Sequence, residues 1–136
     1  MIYAVIDTNV LVSSLLTKNE DSPTVKVMDA IKDGLITPLY HKDIITEYID
    51  VLSRPKFNFN KIKIENIINK IIKYGVEVFP KPTGEILIDM DDLIFYEVAM
   101  EKRDDDAHLV TGNLKHYPVR DYIVTPAEMI ELLSKL

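Results

Sequence analysis

The feature that most constrains this chain is an alternation, in which short apolar runs of strand length take turns with longer segments whose apolar residues recur at helical spacing. Met1–Ile6 is the first such run, stopped by the polar trio Asp7-Thr8-Asn9. Being short and unbroken, it reads as a strand buried on both faces. A helix is expected through Val10-Leu11-Val12 with Thr8 or Asn9 as its cap, and Ser22-Pro23 opens a second helix that ends at Gly34. Leu35–Thr37 reads as a brief strand. Ile44, Ile45, Tyr48, Ile49 and Leu52 mark an amphipathic helix before Pro55, and Ile64, Ile67, Ile68, Ile71 and Ile72 mark another before Gly75. Val76–Phe79 is a short strand, Pro80–Gly84 a loop, and Leu93–Met100 a nearly all-apolar helix capped by Asp91 or Asp92. Strands at His108–Thr111 and Tyr122–Val124 and a last helix after Pro126 complete the pattern.

Strands alternating with helices imply βαβ units, a mostly parallel sheet and helices on both of its faces, which is an α/β fold. The 136 residues are enough for one domain, 1–136, that buries its own core. In sheets of this kind the site lies at the carboxyl ends of the strands, near the switch in strand order. Asp7 and Asn113 stand just past two of those ends.

Charge narrows the chemistry. The chain has no cysteine, which excludes disulfides, zinc-thiolate sites, iron–sulfur clusters and thiol nucleophiles. That composition, an opening without a basic n-region and the lack of any apolar run near 18 residues point to a cytoplasmic protein with no membrane span. The net charge of -6 argues against sequence-independent wrapping of nucleic acid. Its distribution, however, is uneven. From Arg54 to Lys73 six basic residues, Arg54, Lys56, Lys61 and Lys63 among them, face a single acid, Glu65. Acid is concentrated at Asp89, Asp91 and Asp92 and again at Asp104–Asp106, the latter reading as an exposed loop.

Asp7 is either a rigidly held metal ligand or simply a helix-start residue. Asp89, Asp91 and Asp92 place three carboxylates in four positions at a helix start. The helix dipole accounts for one of them, but three repel unless a cation neutralises them. For an all-oxygen cluster that cation is Mg²⁺ or Mn²⁺. Glu47 falls well off the centre of its helix's apolar stripe, and periodicity alone makes it a solvated residue. His41, His108 and His116 show no zinc-ligand spacing, Ser13 and Ser14 no nucleophile elbow, and the chain has neither GxGxxG nor a P-loop.

The string Val5-Ile6-Asp7-Thr8-Asn9-Val10-Leu11-Val12-Ser13, then Asp91-Asp92-Leu93-Ile94, then Leu109-Val110-Thr111-Gly112-Asn113 resembles the PIN domain family. Ser53-Arg54-Pro55-Lys56-Phe57, Lys115-His116-Tyr117-Pro118 and Thr125-Pro126-Ala127-Glu128-Met129 are similar to its branch of VapC-like toxin components of toxin–antitoxin pairs. The resemblance implies a three-layer α/β/α fold and a Mg²⁺- or Mn²⁺-dependent endoribonuclease. It implies Asp7 as the first-strand aspartate, supported by Thr8, Asn9 and Ser13. Glu47 matches the acidic residue of the mid-chain helix, and Asp92, with Asp91 a close competitor and Asp89 beside them, the aspartate opening the buried helix. Asn113 stands where many relatives carry Asp, which keeps a carbonyl ligand but removes a charge. The resemblance further implies a homodimer and an antitoxin partner that blocks the acidic rim.

The expectation from all this is hydrolysis of RNA by metal-activated water, with Asp7, Asp92, Glu47 and Asn113 holding the metal. Arg54, Lys56, Lys61 and Lys63 would steer the substrate. One alternative is a catalytically weak or inactive PIN-fold module that binds RNA or protein. A distant third is a phosphoacceptor receiver domain, which expects an acidic pair where Asp7 stands alone.

Overall fold

The computed structural model describes residues 1–136. Five parallel strands, β1 (Ile2–Ile6), β2 (Ile36–Tyr40), β3 (Val76–Glu77), β4 (His108–Val110) and β5 (Ile123–Val124), form one sheet in the order β3-β2-β1-β4-β5. The helices are α1 (Thr8–Leu16), α2 (Pro23–Lys32), α3 (Lys42–Leu52), α4 (Lys61–Tyr74), α5 (Leu93–Glu101) and α6 (Pro126–Ser134). From β1 the chain moves one way to β2 and β3, then crosses back to β4 and β5. Because parallel crossovers are right-handed, that reversal puts α5, which leads back to β4, on the face opposite α2 and α4. α2 and α4 pack on β2 with α6 against α2, while α5 lies against β1, β2 and β4. The fold is therefore the α/β class expected, with helices flanking an all-parallel sheet.

Ala4, Val5 and Ile6 are buried completely, as a central parallel strand covered on both faces requires. Around them sit Leu11, Ile31, Phe95 and Leu109, with the Tyr48 and Phe95 rings 5.9 Å apart. The Tyr48 hydroxyl donates to the Ile6 carbonyl oxygen, which pins α3 to the carboxyl end of β1. α4 starts where Asn60 accepts from the Lys63 amide at 2.8 Å and stops at Gly75, where a Cβ would fall on the carbonyl oxygens of Ile71 and Pro38. α6 carries a capping box between Thr125 and Glu128.

Several boundaries differ from the sequence reading. Asp7, rather than Thr8 or Asn9, caps α1, since its carboxylate accepts from the Thr8 amide at 2.8 Å. α2 ends at Lys32, two residues before Gly34. β2 runs on to Tyr40 through Pro38. A proline is tolerated there because β3 pairs with β2 only from Leu39 onward. β3 is shorter than Val76–Phe79. At α5 neither Asp91 nor Asp92 makes a side-chain cap bond; Asp89 instead accepts from the Asp91 amide at 3.0 Å and caps the 3₁₀ turn Met90–Asp92.

Candidate active site

The strand order reverses between β1 and β4, so the carboxyl ends of those two strands open the crevice in which α/β sites form. Asp7 ends β1 and Thr111 ends β4. Asp7 is buried and accepts four hydrogen bonds. One carboxylate oxygen, Oδ1, takes the Thr8 amide at 2.8 Å. The other, Oδ2, takes the Thr111 hydroxyl at 2.8 Å, the Tyr117 hydroxyl at 3.0 Å and the Asn9 side-chain amide at 3.1 Å. A carboxylate has about four lone-pair sites, two on each oxygen. Oδ2 is thus saturated, and Oδ1 keeps the free lone pair.

Asn9 is itself fixed from both ends, because its Oδ1 accepts from the Gly112 amide at 2.8 Å. A Cβ on Gly112 would come within 3.1 Å of that oxygen, so the Thr-Gly step lets β4's exit loop close on α1. Thr8 Oγ1, next to Asp7 in the chain, is the one buried side-chain polar atom with no partner.

Asp92 approaches from the start of α5. Freed from capping by Asp89, its carboxylate Oδ2 lies 3.3 Å from His116 Nδ1. Burial, then the charge of Asp7, then that of Asp89 push Asp92 up to about 6, against the pull of His116. Burial likewise raises Asp7, outweighing the bonds from Thr111, Tyr117, Thr8 and Asn9 that favour its ionised form. Tyr117 is driven upward by burial, then by Asp7 and Asp92, so its hydroxyl stays protonated and serves as a donor.

Glu47 is half-buried on α3 rather than fully solvated. Burial, then Asp91, Asp50 and Asp89 raise it, while Arg54 lowers it. Asp89 is the common neighbour, since its charge reaches both Asp92 and Glu47. Asp7, Asp92, Asp89, Asp91 and Glu47 therefore belong to one acidic rim. No three carboxylate or imidazole groups converge closely enough to form a preformed metal cage. The donor set nonetheless suits a hard divalent cation, being all oxygen and holding carboxylates that raise one another for want of a counter-charge.

The other expected residues are placed less centrally. Asn113 follows the site in the β4 exit loop, where its amide nitrogen donates to Thr111 Oγ1 at 3.0 Å. Ser13 is exposed on α1 and bonds none of these carboxylates. Arg54 pairs with Asp50 at 3.4 Å and Lys61 with Glu65 at 3.8 Å, whereas Lys56 sits over the Phe57 ring and Lys63 is exposed without an ion pair. His116, Tyr117, Thr111 and Tyr48 were not among the expected site residues. The signal for the first two lay in Lys115-His116-Tyr117-Pro118, and for Thr111 in the Thr-Gly step past β4.

A PIN domain family model matches residues 3–115. The chain belongs to the PIN domain family. The matched span takes in Asp7, Glu47, Asp89–Asp92 and Asn113, and stops just short of His116 and Tyr117. No curated protein matches the chain. PIN domains are as a rule nucleases, and such nucleases usually use divalent metals. No helix of this PIN domain is long and apolar enough to cross a membrane.

Proposed function

We propose that this PIN domain is a Mg²⁺- or Mn²⁺-dependent endoribonuclease, the toxin component of a toxin–antitoxin pair acting in the cytoplasm as a homodimer. One observation carries the reading. Asp7 and Asp92, 85 positions apart in the chain, lie within electrostatic reach at the β1–β4 crevice, where the charge of Asp7 raises the cost of ionising Asp92. Asp7 through its free Oδ1 lone pair, Asp92 and, more remotely, Glu47 would hold the ion, with Asn113 as a neutral oxygen ligand and Asp91 an acidic neighbour. A bound divalent ion would acidify a water molecule and neutralise the scissile phosphate. Asn9, Thr111 and Tyr117 fix the Asp7 carboxylate, and His116 orients Asp92.

The test is digestion of total RNA with Mg²⁺ and with EDTA, using the wild type and Asp7→Asn. Cleavage in Mg²⁺ alone, lost in the variant, is the expected result; equal turnover by the variant contradicts it. For the toxin role, a short upstream reading frame encoding a small DNA-binding protein is expected beside the gene.

The saturation of Asp7 Oδ2 favours one alternative, a PIN-fold module that binds RNA or protein without cleaving it. Titration with Mn²⁺ separates the two, because a silent site takes up metal weakly.

A further inference from the structure

Two adjoining hollows run along the outer side of α4. One, of about 310 Å³, lies between α1, α2 and α4 and is bordered by Ser14, Asp29 and Lys63. The next, of about 360 Å³, is bordered by Lys32, Lys73 and Tyr74. Asn66 and Lys70 line both, so the two form one groove. Its four lysines, Lys32, Lys63, Lys70 and Lys73, face one lining carboxylate, Asp29, and none has an ion-pair partner; the lysines that do are Lys61 and Lys135. In a chain of net charge -6 this is an uncompensated positive surface.

On α4, Lys63, Asn66, Lys70 and Lys73 fall on one side of the helix at 100° per residue, away from buried Ile68. They extend over about 15 Å of its axis. The groove is also tied to the acidic rim, since Asp7 caps α1 and Ser14 borders the groove about 10 Å further along the same helix.

We infer that the Lys32–Lys63–Lys70–Lys73 groove binds the sugar–phosphate backbone of a single-stranded RNA whose scissile phosphate lies at the acidic rim. This rests on the ribonuclease reading and assigns the substrate's path. The rim's carboxylates repel RNA, so holding a polyanion there requires cations at a short remove along the strand. The pairs Arg54–Asp50 and Lys61–Glu65 are partly neutralised, whereas the four groove lysines are not. The side-chain amides of Asn66 and Asn69 add hydrogen-bonding groups that an extended backbone with its 2′-hydroxyls can use.

The experiment is fluorescence anisotropy of a fluorescein-labelled oligouridylate with the full chain, in EDTA, across a salt series. Lys70→Gln/Lys73→Gln is expected to make the slope of log affinity against log salt shallower by about 1.4, some 0.7 for each lost contact to a single strand. Lys135→Gln, just past the end of α6, is expected to leave the slope unchanged. Lys32→Gln/Lys63→Gln repeats the measurement on the other pair, so a misfolded variant does not decide the matter. An unchanged slope in both groove pairs, with RNA still bound in EDTA and cleaved in a parallel digestion with Mg²⁺, overturns the groove alone. A chain that neither binds nor cleaves RNA overturns the ribonuclease reading along with it. Competition by polyglutamate as effective as that by unlabelled RNA overturns the assignment to RNA.

Discussion

The Tyr117 hydroxyl donates to Asp7 Oδ2 at 3.0 Å, and the residue before it, His116, lies 3.3 Å from Asp92. Two consecutive residues of the β4 exit loop thus each hold one of the two carboxylates that the proposed cation would share. Partners that orient metal ligands commonly matter for metal affinity by about 10- to 100-fold when removed. Tyr117→Phe keeps the ring and deletes the donor. Its Mn²⁺ affinity, by isothermal titration, is expected to fall about tenfold or more; wild-type affinity would mean that the hydroxyl does not orient Asp7 for metal.

The pH dependence follows from Asp92, raised from 3.8 to about 6, and from Asp7, raised in the same direction. In this window the folded chain keeps protons that the unfolded chain has released. The stabilisation is therefore complete below the ordinary carboxylate value and is lost as pH rises through about 6. Urea midpoints of the metal-free protein are expected to fall across that range, with a flatter profile in Asp92→Asn. Mn²⁺ affinity is expected to rise over the same interval, because the ligand form is the carboxylate. A midpoint that rises with pH through 6 would contradict the assignment.

Tyr48 is fully buried and its hydroxyl serves the Ile6 carbonyl, one residue before Asp7. Tyr48→Phe leaves that carbonyl short of a partner and is expected to cost about 1–3 kcal/mol of unfolding free energy in urea melts. A loss well below that would show that water or a shift of β1 replaces the bond.

Thr125 caps α6 just past β5, and the Glu128 side chain accepts back from its amide at 2.9 Å; neither side chain bonds a carboxylate of the rim. Thr125→Ala is expected to cost about 1 kcal/mol and to leave Mn²⁺ uptake unchanged. A parallel loss of metal binding would mean that the site does not stand on β1, β4 and α5 alone.

The fold was legible where hydrophobic period decides structure. β1, α3, α4 and α5 follow directly from apolar spacing, and their order implies the parallel sheet. β2 was read as ending at Thr37, yet it continues through Pro38, which the late start of β3 makes harmless. At Asp7 the sequence set helix cap against metal ligand as rivals. The carboxylate caps α1 through Oδ1 and takes the bonds from Asn9, Thr111 and Tyr117 on Oδ2, so capping leaves a lone pair on Oδ1 free and does not preclude the proposed metal role. His116 and Tyr117 were given no site role because their partners are 24 and 110 positions away, and no periodicity carries such pairings. Periodicity alone left Glu47 solvated for a related reason: it is half-buried and feels the charges of Asp91 and Asp89, which lie beyond the reach of its own helix's pattern.

The claim on which the functional reading rests is that Asp7 and Asp92 share one divalent cation. Titration calorimetry with Mn²⁺ on the wild type, Asp7→Asn and Asp92→Asn, each first shown to be folded by circular dichroism, addresses it most directly. Saturable uptake by the wild type that is lost in both variants is the expected result. Uptake that persists undiminished in either variant, or is absent from the wild type, would contradict it.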